Sequence, residues 1–189
     1  MPRAGLDRDQ VVRVAADIAD DHGLEAVTLA RVAARLGVKS PSLYNHVQGR
    51  DGLVRGIGLL GLGELAATLR DAAVGRSGVD GLLAASEAYR AFVKEHPGRY
   101  AAGALTASAP DDAEHQAAAT AVLDVLRSVL RAWSLPGDEE VHALRAFRAA
   151  VHGFATLESA GGFGLEVDLD TSFARLITAL AAGLDAANR

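Results

Sequence analysis

The stretch Thr28-Leu-Ala-Arg-Val-Ala-Ala-Arg-Leu-Gly-Val-Lys-Ser-Pro-Ser-Leu-Tyr-Asn-His-Val47 decides how the chain is read. Thr28 is a helix-capping residue whose hydroxyl can accept from the N–H groups of the next turn, and Leu29, Val32, Ala33 and Leu36 follow at helical spacing. Gly37 supplies the stop. Only Val38 and Lys39 intervene before Ser40-Pro41, a serine cap with proline at the first helical position, so a second helix restarts at once. The spacing predicts that this helix is short, Pro41 to about Val47, with Leu43 and Val47 turned inward. Upstream, Val11, Val14, Ala15, Ile18 and Ala19 form one stripe of a helix from about Arg8 to His22, with Arg13, Asp17, Asp20 and Asp21 opposite and Gly23 as its stop. Two short helices joined by a tight glycine turn and braced by a longer one make a helix-turn-helix.

With Leu43 and Val47 facing a core, Ser42, Tyr44, Asn45 and His46 lie outward or on the flanks of the short helix. A merely solvated helix carries Glu, Lys and Gln there; short or planar hydrogen-bonding groups suit base edges and phosphates instead. The charge distribution agrees. The chain as a whole carries a net charge of −5 with a pI near 5.6, which argues against a general polyanion binder. Between Arg31 and Arg55, however, Arg31, Arg35, Lys39, Arg50 and Arg55 face a single acid, Asp51, for a local +4. Residues 56–189 sum to −6, so the acidity belongs to the other part of the chain. Lys39 and Arg50, which bracket the short helix, are the expected phosphate contacts.

Alanine is the commonest residue and no β-branched run alternates with period two, so the expected fold is all-α with about nine helices. The 189 residues suit one or two compact domains, divided here as a helix-turn-helix head at 1–55 and a helical body at 56–189. No cysteine occurs, which removes disulfides and thiolate metal sites and suits a reducing compartment. The first residues lack the apolar core of a signal peptide. The longest apolar stretch, Ile57 to Leu69, is broken by Glu64 and falls short of the roughly 20 residues a bilayer crossing needs. A soluble cytoplasmic protein with no membrane partner is expected.

The fourth segment, about Asp51 to Val74, contains Gly52, Gly56, Gly58, Gly61 and Gly63, each costing a helix interior roughly 1 kcal/mol against alanine. Two readings stand open: an easily bent connector, or close packing against neighbours. The middle helices, about Val79 to His96, Gly98 to Ala107 and Asp112 to Trp133, supply Tyr89, Phe92, His96, Tyr100 and Trp133; with His152 these are the candidate lining of a moderately apolar small-molecule cavity. The last two helices, about Asp138 to Ser159 and Thr171 to Ala187, interleave apolar and small residues, as in a bundle shared between subunits or in a monomer core. Leu144, Phe147, Val151, Phe154, Phe173, Ile177, Leu180 and Leu184 are the candidate interface.

Neither a phosphate-cradling Gly-x-x-x-x-Gly-Lys, nor Gly-x-Ser-x-Gly, nor His-Glu-x-x-His occurs. His96, His115, His142 and His152 are scattered singly, so no metal or other cofactor is expected. The acidic runs Pro110-Asp111-Asp112-Ala113-Glu114 and Asp138-Glu139-Glu140 sit where helices start, where carboxylates suit the positive end of the helix dipole. An enzyme is not expected.

Val27 to Val54 closely resembles the DNA-binding head of the TetR family of bacterial transcription regulators: a Thr-capped helix, Ala-x-x-Leu-Gly-Val at the turn, and Leu43-Tyr44-Asn45-His46 in the recognition helix. The resemblance covers about residues 8–55. Val47 stands where the family commonly has Phe, and Gln48-Gly49-Arg50-Asp51-Gly52 replaces a Lys-Glu-Glu type of start. The resemblance implies that Tyr44 and His46 contact DNA and that Thr28 and Arg50 hold phosphates; beside it, the residue types themselves put Ser42 and Asn45 with Tyr44 and His46 in the major groove and Lys39 and Ser40 among the phosphate contacts. The resemblance further implies a helical body that dimerises through its last two helices, binds a small-molecule effector, and reads a palindromic operator in double-stranded DNA as a repressor. Val151-His152-Gly153-Phe154 resembles the His-Gly signature of one C-terminal subgroup. The alternatives are a helix-turn-helix protein without an effector and an all-helical enzyme or binding protein.

Overall fold

The computed structural model describes residues 6–106 and 112–187. Its elements are α1 (Arg8–His22), a 3-10 turn (Leu24–Ala26), α2 (Leu29–Leu36), a 3-10 helix (Ser40–Asn45), α3 (Gly49–Ala73), α4 (Gly78–Glu95), α5 (Pro97–Thr106), α6 (Ala113–Leu130), a 3-10 turn (Arg131–Trp133), α7 (Glu139–Ser159) and α8 (Leu169–Ala187). Among the described residues all regular structure is helical. The eight α-helices and the six-residue 3-10 helix make the nine expected; Ala107, Pro110 and Asp111, where a helix end and an acidic start were expected, lie outside the described residues.

The chain divides into two compact units, Met1–Glu64 with Glu95–Ala119, and Leu65–Lys94 with Thr120–Arg189. In the first, Asp7 caps α1 by accepting from the Gln10 N–H at 2.7 Å, and the Gln10 side chain returns toward the Asp7 N–H. The buried face of α1 (Val11, Ala15, Ile18) meets Val27, Val32, Leu43, Val47, Leu53, Ile57 and Ala102 in one core. Thr28 caps α2 as expected, its Oγ1 accepting from the Arg31 N–H at 3.2 Å. Gly37 turns the chain with a φ of +69°, a left-handed conformation that a side chain resists.

One expectation needs correction. The segment after the turn is a 3-10 helix, not an α-helix, and its cap position is Lys39, whose side chain makes no capping bond, rather than Ser40. The Ser42 N–H donates to the Lys39 carbonyl and the His46 N–H to the Leu43 carbonyl, both i to i+3 bonds. Pro41 has no N–H to give, and Ser and Asn favour local backbone bonds over an α-helical ladder. Three residues per turn still put Leu43 inward.

The carboxylate of Asp20, near the end of α1, caps α5: its Oδ1 accepts from the Gly98 and Arg99 N–H groups, each at 2.9 Å. Arg99 also pairs with Asp17 at 2.6 Å. This close approach needs Gly98, where a Cβ would overlap the Ala19 backbone. Along α3 a Cβ at Gly56 would press on Val12 and one at Gly61 on the Arg99 carbonyl, so these two glycines favour the close-packing reading over the bent connector. By length and composition α3 is long and apolar enough to cross a membrane; Leu53, Ile57, Leu65 and Leu69 are instead buried in the protein.

In the second unit Tyr89, Phe92, Leu126, Phe147, Phe154, Phe173 and Ile177 are buried. Arg90, on α4, is buried with them. It donates to both oxygens of Glu158 on α7, at 2.6 and 2.7 Å, and to Asp170 on α8 at 2.8 Å, while its guanidinium lies 5.3 and 4.9 Å from the Phe154 and Phe173 ring centroids. These bonds hold the Glu158 carboxyl down at about 2 and raise the Arg90 pKa. One side chain thereby ties three helices together.

Candidate nucleic-acid interface

The 3-10 helix sets which side chains face out. Residues three apart eclipse in such a helix, so Pro41 and Tyr44 share one edge and Ser42 and Asn45 the next. All four are exposed, Tyr44 to 63%. Ser40 and His46 are half-buried at its two ends and Lys39 is exposed beside it. A polar aromatic, an amide and a hydroxyl therefore stand together on one surface around a single inward leucine.

The five cations of the local +4 are not equivalent. Arg35 pairs with Asp21 at 3.5 Å. Arg55 forks onto Asp112, with Nε and Nη2 at 2.5 and 2.7 Å from its two oxygens, and reaches Glu114 at 2.7 Å. Those bonds lower the Asp112 pKa to about 2 and raise that of Arg55. Arg50 donates from Nε to the Val27 carbonyl at 3.2 Å and from Nη2 to the Leu24 carbonyl at 3.0 Å, with Glu25 at 3.6 Å. Its first task is structural: it staples the start of α3 to the turn that precedes α2. Lys39 and Arg31 are exposed and make no ion pair among the described residues. Arg31, which the sequence marks only as part of the local charge, lies exposed in the first turn of α2, three residues after the Thr28 cap.

The candidate effector residues are distributed over both units, His96 and Tyr100 in the first and Tyr89, Phe92, Trp133 and His152 in the second. Tyr89 stacks edge-on against Phe147 with centroids 6.3 Å apart, and the Trp133 indole donates to Asp185 at 2.6 Å. His152 is exposed on α7. His96 contacts Asp20 at 3.2 Å within the first unit, to which Tyr100 also belongs. None of the six lines either of two cavities, one of about 440 Å³ beside Arg70, Val74, Asp124 and Ser128, the other of about 270 Å³ beside Arg8, Arg13, Leu59 and Glu114.

The candidate interface residues lie inside the chain. Leu144, Phe147, Val151, Phe154, Phe173, Ile177 and Leu184 are buried within one copy, and only Leu180 is half-exposed. A side chain whose surface is already covered has none left to bury against a partner. The faces that α7 and α8 leave open carry small residues: Ala146 and Ala149 on α7, Ala179, Ala182 and Gly183 on α8, with Leu157 half-exposed near the end of α7. Periodicity located an apolar stripe that is largely buried within one copy.

A helix-turn-helix with this exposed row defines a DNA-binding transcription regulator. Residues 11–57 match the model of bacterial regulatory proteins of the tetR family, and residues 82–180 match that of the tetracyclin repressor-like C-terminal domain. An HTH-type transcriptional regulator of Mycobacterium tuberculosis, Rv0681, itself uncharacterized, is 33% identical over 182 residues, 96% of this chain and 83% of that protein. Two solved structures share the fold. A protein of unknown function from Rhodococcus sp. RHA1 superposes with a TM-score of 0.83 at 21% identity, over 98% of this chain and 99% of that one. A TetR variant from Acinetobacter baumannii, in complex with minocycline, gives 0.72 at 21% identity, over 98% and 99%. The chain belongs to the TetR family of transcriptional regulators.

Proposed function

We propose that the chain is a cytoplasmic homodimeric repressor, not an enzyme, that occludes a promoter by holding a palindromic operator and lets go when a small molecule binds its body. Residues 1–55 are the operator-reading head and 56–189 the regulatory body. Ser42, Tyr44, Asn45 and His46 enter the major groove, with Asn45 the base reader, since an amide pairs bidentately with adenine. Thr28, Lys39 and Ser40 hold phosphates; Arg31 joins them, and Arg50 contributes the donors its carbonyl bonds leave over. The observation that carries this reading is the exposed row on the 3-10 helix together with two exposed cations, Lys39 and Arg31, that have no carboxylate partner among the described residues.

The second copy docks on the open small-residue faces of α7 and α8, where side chains this short let helices approach closely. The two heads then meet successive half-sites on one side of the duplex. The relative solved with minocycline supports a small molecule as the releasing signal; a ligand acts by binding better to the conformation whose head spacing no longer fits the operator.

Selection of bound duplexes from random DNA, followed by titration of the selected site, tests the proposal. A palindromic site, with Asn45→Ala losing the preference and Lys39→Ala weakening all sequences alike, is the expected result. Failure to retain any duplex at low ionic strength overturns it.

A further inference from the structure

His115, in the first turn of α6, has no part in the interface above. It is 2% exposed, and neither ring nitrogen finds a hydrogen-bond partner among the described residues. A neutral imidazole carries one donor and one acceptor, and burying both unpaired costs stability that an apolar side chain of similar size would not cost. Such a group calls for a role other than packing.

Its surroundings say what kind. The His115 N–H of the backbone donates to Asp112 Oδ1 at 3.1 Å, and Asp112 is gripped by the guanidinium of Arg55. Arg55 lies on α3, five residues beyond Arg50, whose side chain is bonded to the Leu24 and Val27 carbonyls just ahead of the Thr28 cap. The start of α6 is thus linked through α3 to the turn that presents the helix-turn-helix. A molecule bonded to the imidazole has to shift the first turn of α6 to reach it, and that shift pulls on Arg55. The neighbouring carboxylates of Asp112 and Glu114 are already answered by Arg55, so the buried ring has no free counter-charge for an ion, and the cost of desolvating one favours an uncharged, largely apolar molecule.

We infer that His115 anchors an uncharged small molecule, apolar apart from one hydroxyl, carbonyl or amide group, and that its occupancy reaches the DNA-binding head through Asp112, Arg55 and α3. This deepens the ligand-released reading and rests on it.

The test uses full-length protein with ¹⁵N-labelled histidine, titrated with phenol, benzyl alcohol, cyclohexanone and benzamide, and with benzoate and benzylamine as charged counterparts. At least one uncharged probe should move the His115 ring-nitrogen signals saturably, with binding weakened roughly tenfold or more in His115→Leu. That variant should melt no lower than wild type, and His115→Gln should keep part of the binding. Arg55→Met should bind the probe and no longer pass its effect to DNA. The anchor is overturned if no uncharged probe moves those signals, if binding survives in His115→Leu, or if the charged probes bind as well. Probe-induced release of DNA that is equal in wild type and His115→Leu leaves the ligand-released reading standing and sinks this inference. A probe that moves the His115 signals and leaves DNA binding unchanged sinks the proposed transmission to the head.

Discussion

Around Arg90 every charge is answered inside the protein: Glu158, Asp170 and two phenylalanine rings enclose one guanidinium, and Lys94 adds a second cation at 2.9 Å from Glu158. Around the 3-10 helix Ser40–Asn45, Lys39 and Arg31 are met by no carboxylate among the described residues, and Tyr44 and Asn45 stand in solvent. The first arrangement fixes three helices and is saturated. The second leaves donors and acceptors open, which costs nothing in water and becomes binding energy only when a partner arrives. Removing charges should therefore break stability in one place and recognition in the other.

The largest effect is expected at Arg90. Arg90→Met leaves the half-buried Glu158 carboxylate with Lys94 alone and removes the tie to Asp170, and should cost about 2–3 kcal/mol in chemical denaturation, with operator affinity per folded molecule unchanged. The same pair sets an acid limit. Glu158 is held at about 2, below its ordinary value of roughly 4.3, so its contribution is full above that ordinary value and is lost as pH falls through about 2. Glu158→Gln should lower stability at neutral pH and remove that part of the acid transition.

Arg50 tests the comparison from its middle, since it is both bonded inside and placed beside the recognition surface. Arg50→Ala frees the Leu24 and Val27 carbonyls and should cost about 1–3 kcal/mol of stability as well as weakening DNA. Lys39→Ala should weaken every duplex equally, reduce the salt slope by roughly one, and leave the melting curve in place. Equal stability losses for the two would erase the distinction drawn between them. For the dimer, Ala149→Glu with Ala182→Glu places charge on the open faces of α7 and α8; light scattering should report a folded monomer, and an unchanged mass contradicts those faces as the interface. The smallest effects separate the glycines of α3. Gly61→Ala drives a Cβ against the Arg99 carbonyl and should destabilise by about 1–3 kcal/mol. Gly63, with open space around it, should stabilise by up to about 1 kcal/mol as alanine.

What the sequence made legible follows from how local the physics is. The ends of α1, the Thr28 cap and the Gly37 turn depend on neighbouring residues, and all were readable. The inward turn of Leu43 and Val47 was readable for the same reason. The 3-10 geometry of Ser40–Asn45 was not, because a serine and proline at a helix start also suit an α-helix. Long-range partners were invisible: nothing near Arg55 announces Asp112, and nothing near Arg50 announces two backbone carbonyls. Counting charge per segment credited residues 31–55 with arginines already engaged by carboxylates. The stripe on α7 and α8 has the same character, since periodicity marks what is buried and not which chain covers it.

The central claim is that the open side chains of this head read DNA while its closed ones hold the fold. The most direct measurement is the affinity of full-length wild type, Asn45→Ala and Lys39→Ala for the selected duplex and for a scrambled one across a salt series. Asn45→Ala is expected to lose about 1–3 kcal/mol on the selected duplex alone, and Lys39→Ala to lose equally on both, with a shallower salt dependence. Wild-type affinity for both duplexes in both variants would contradict it.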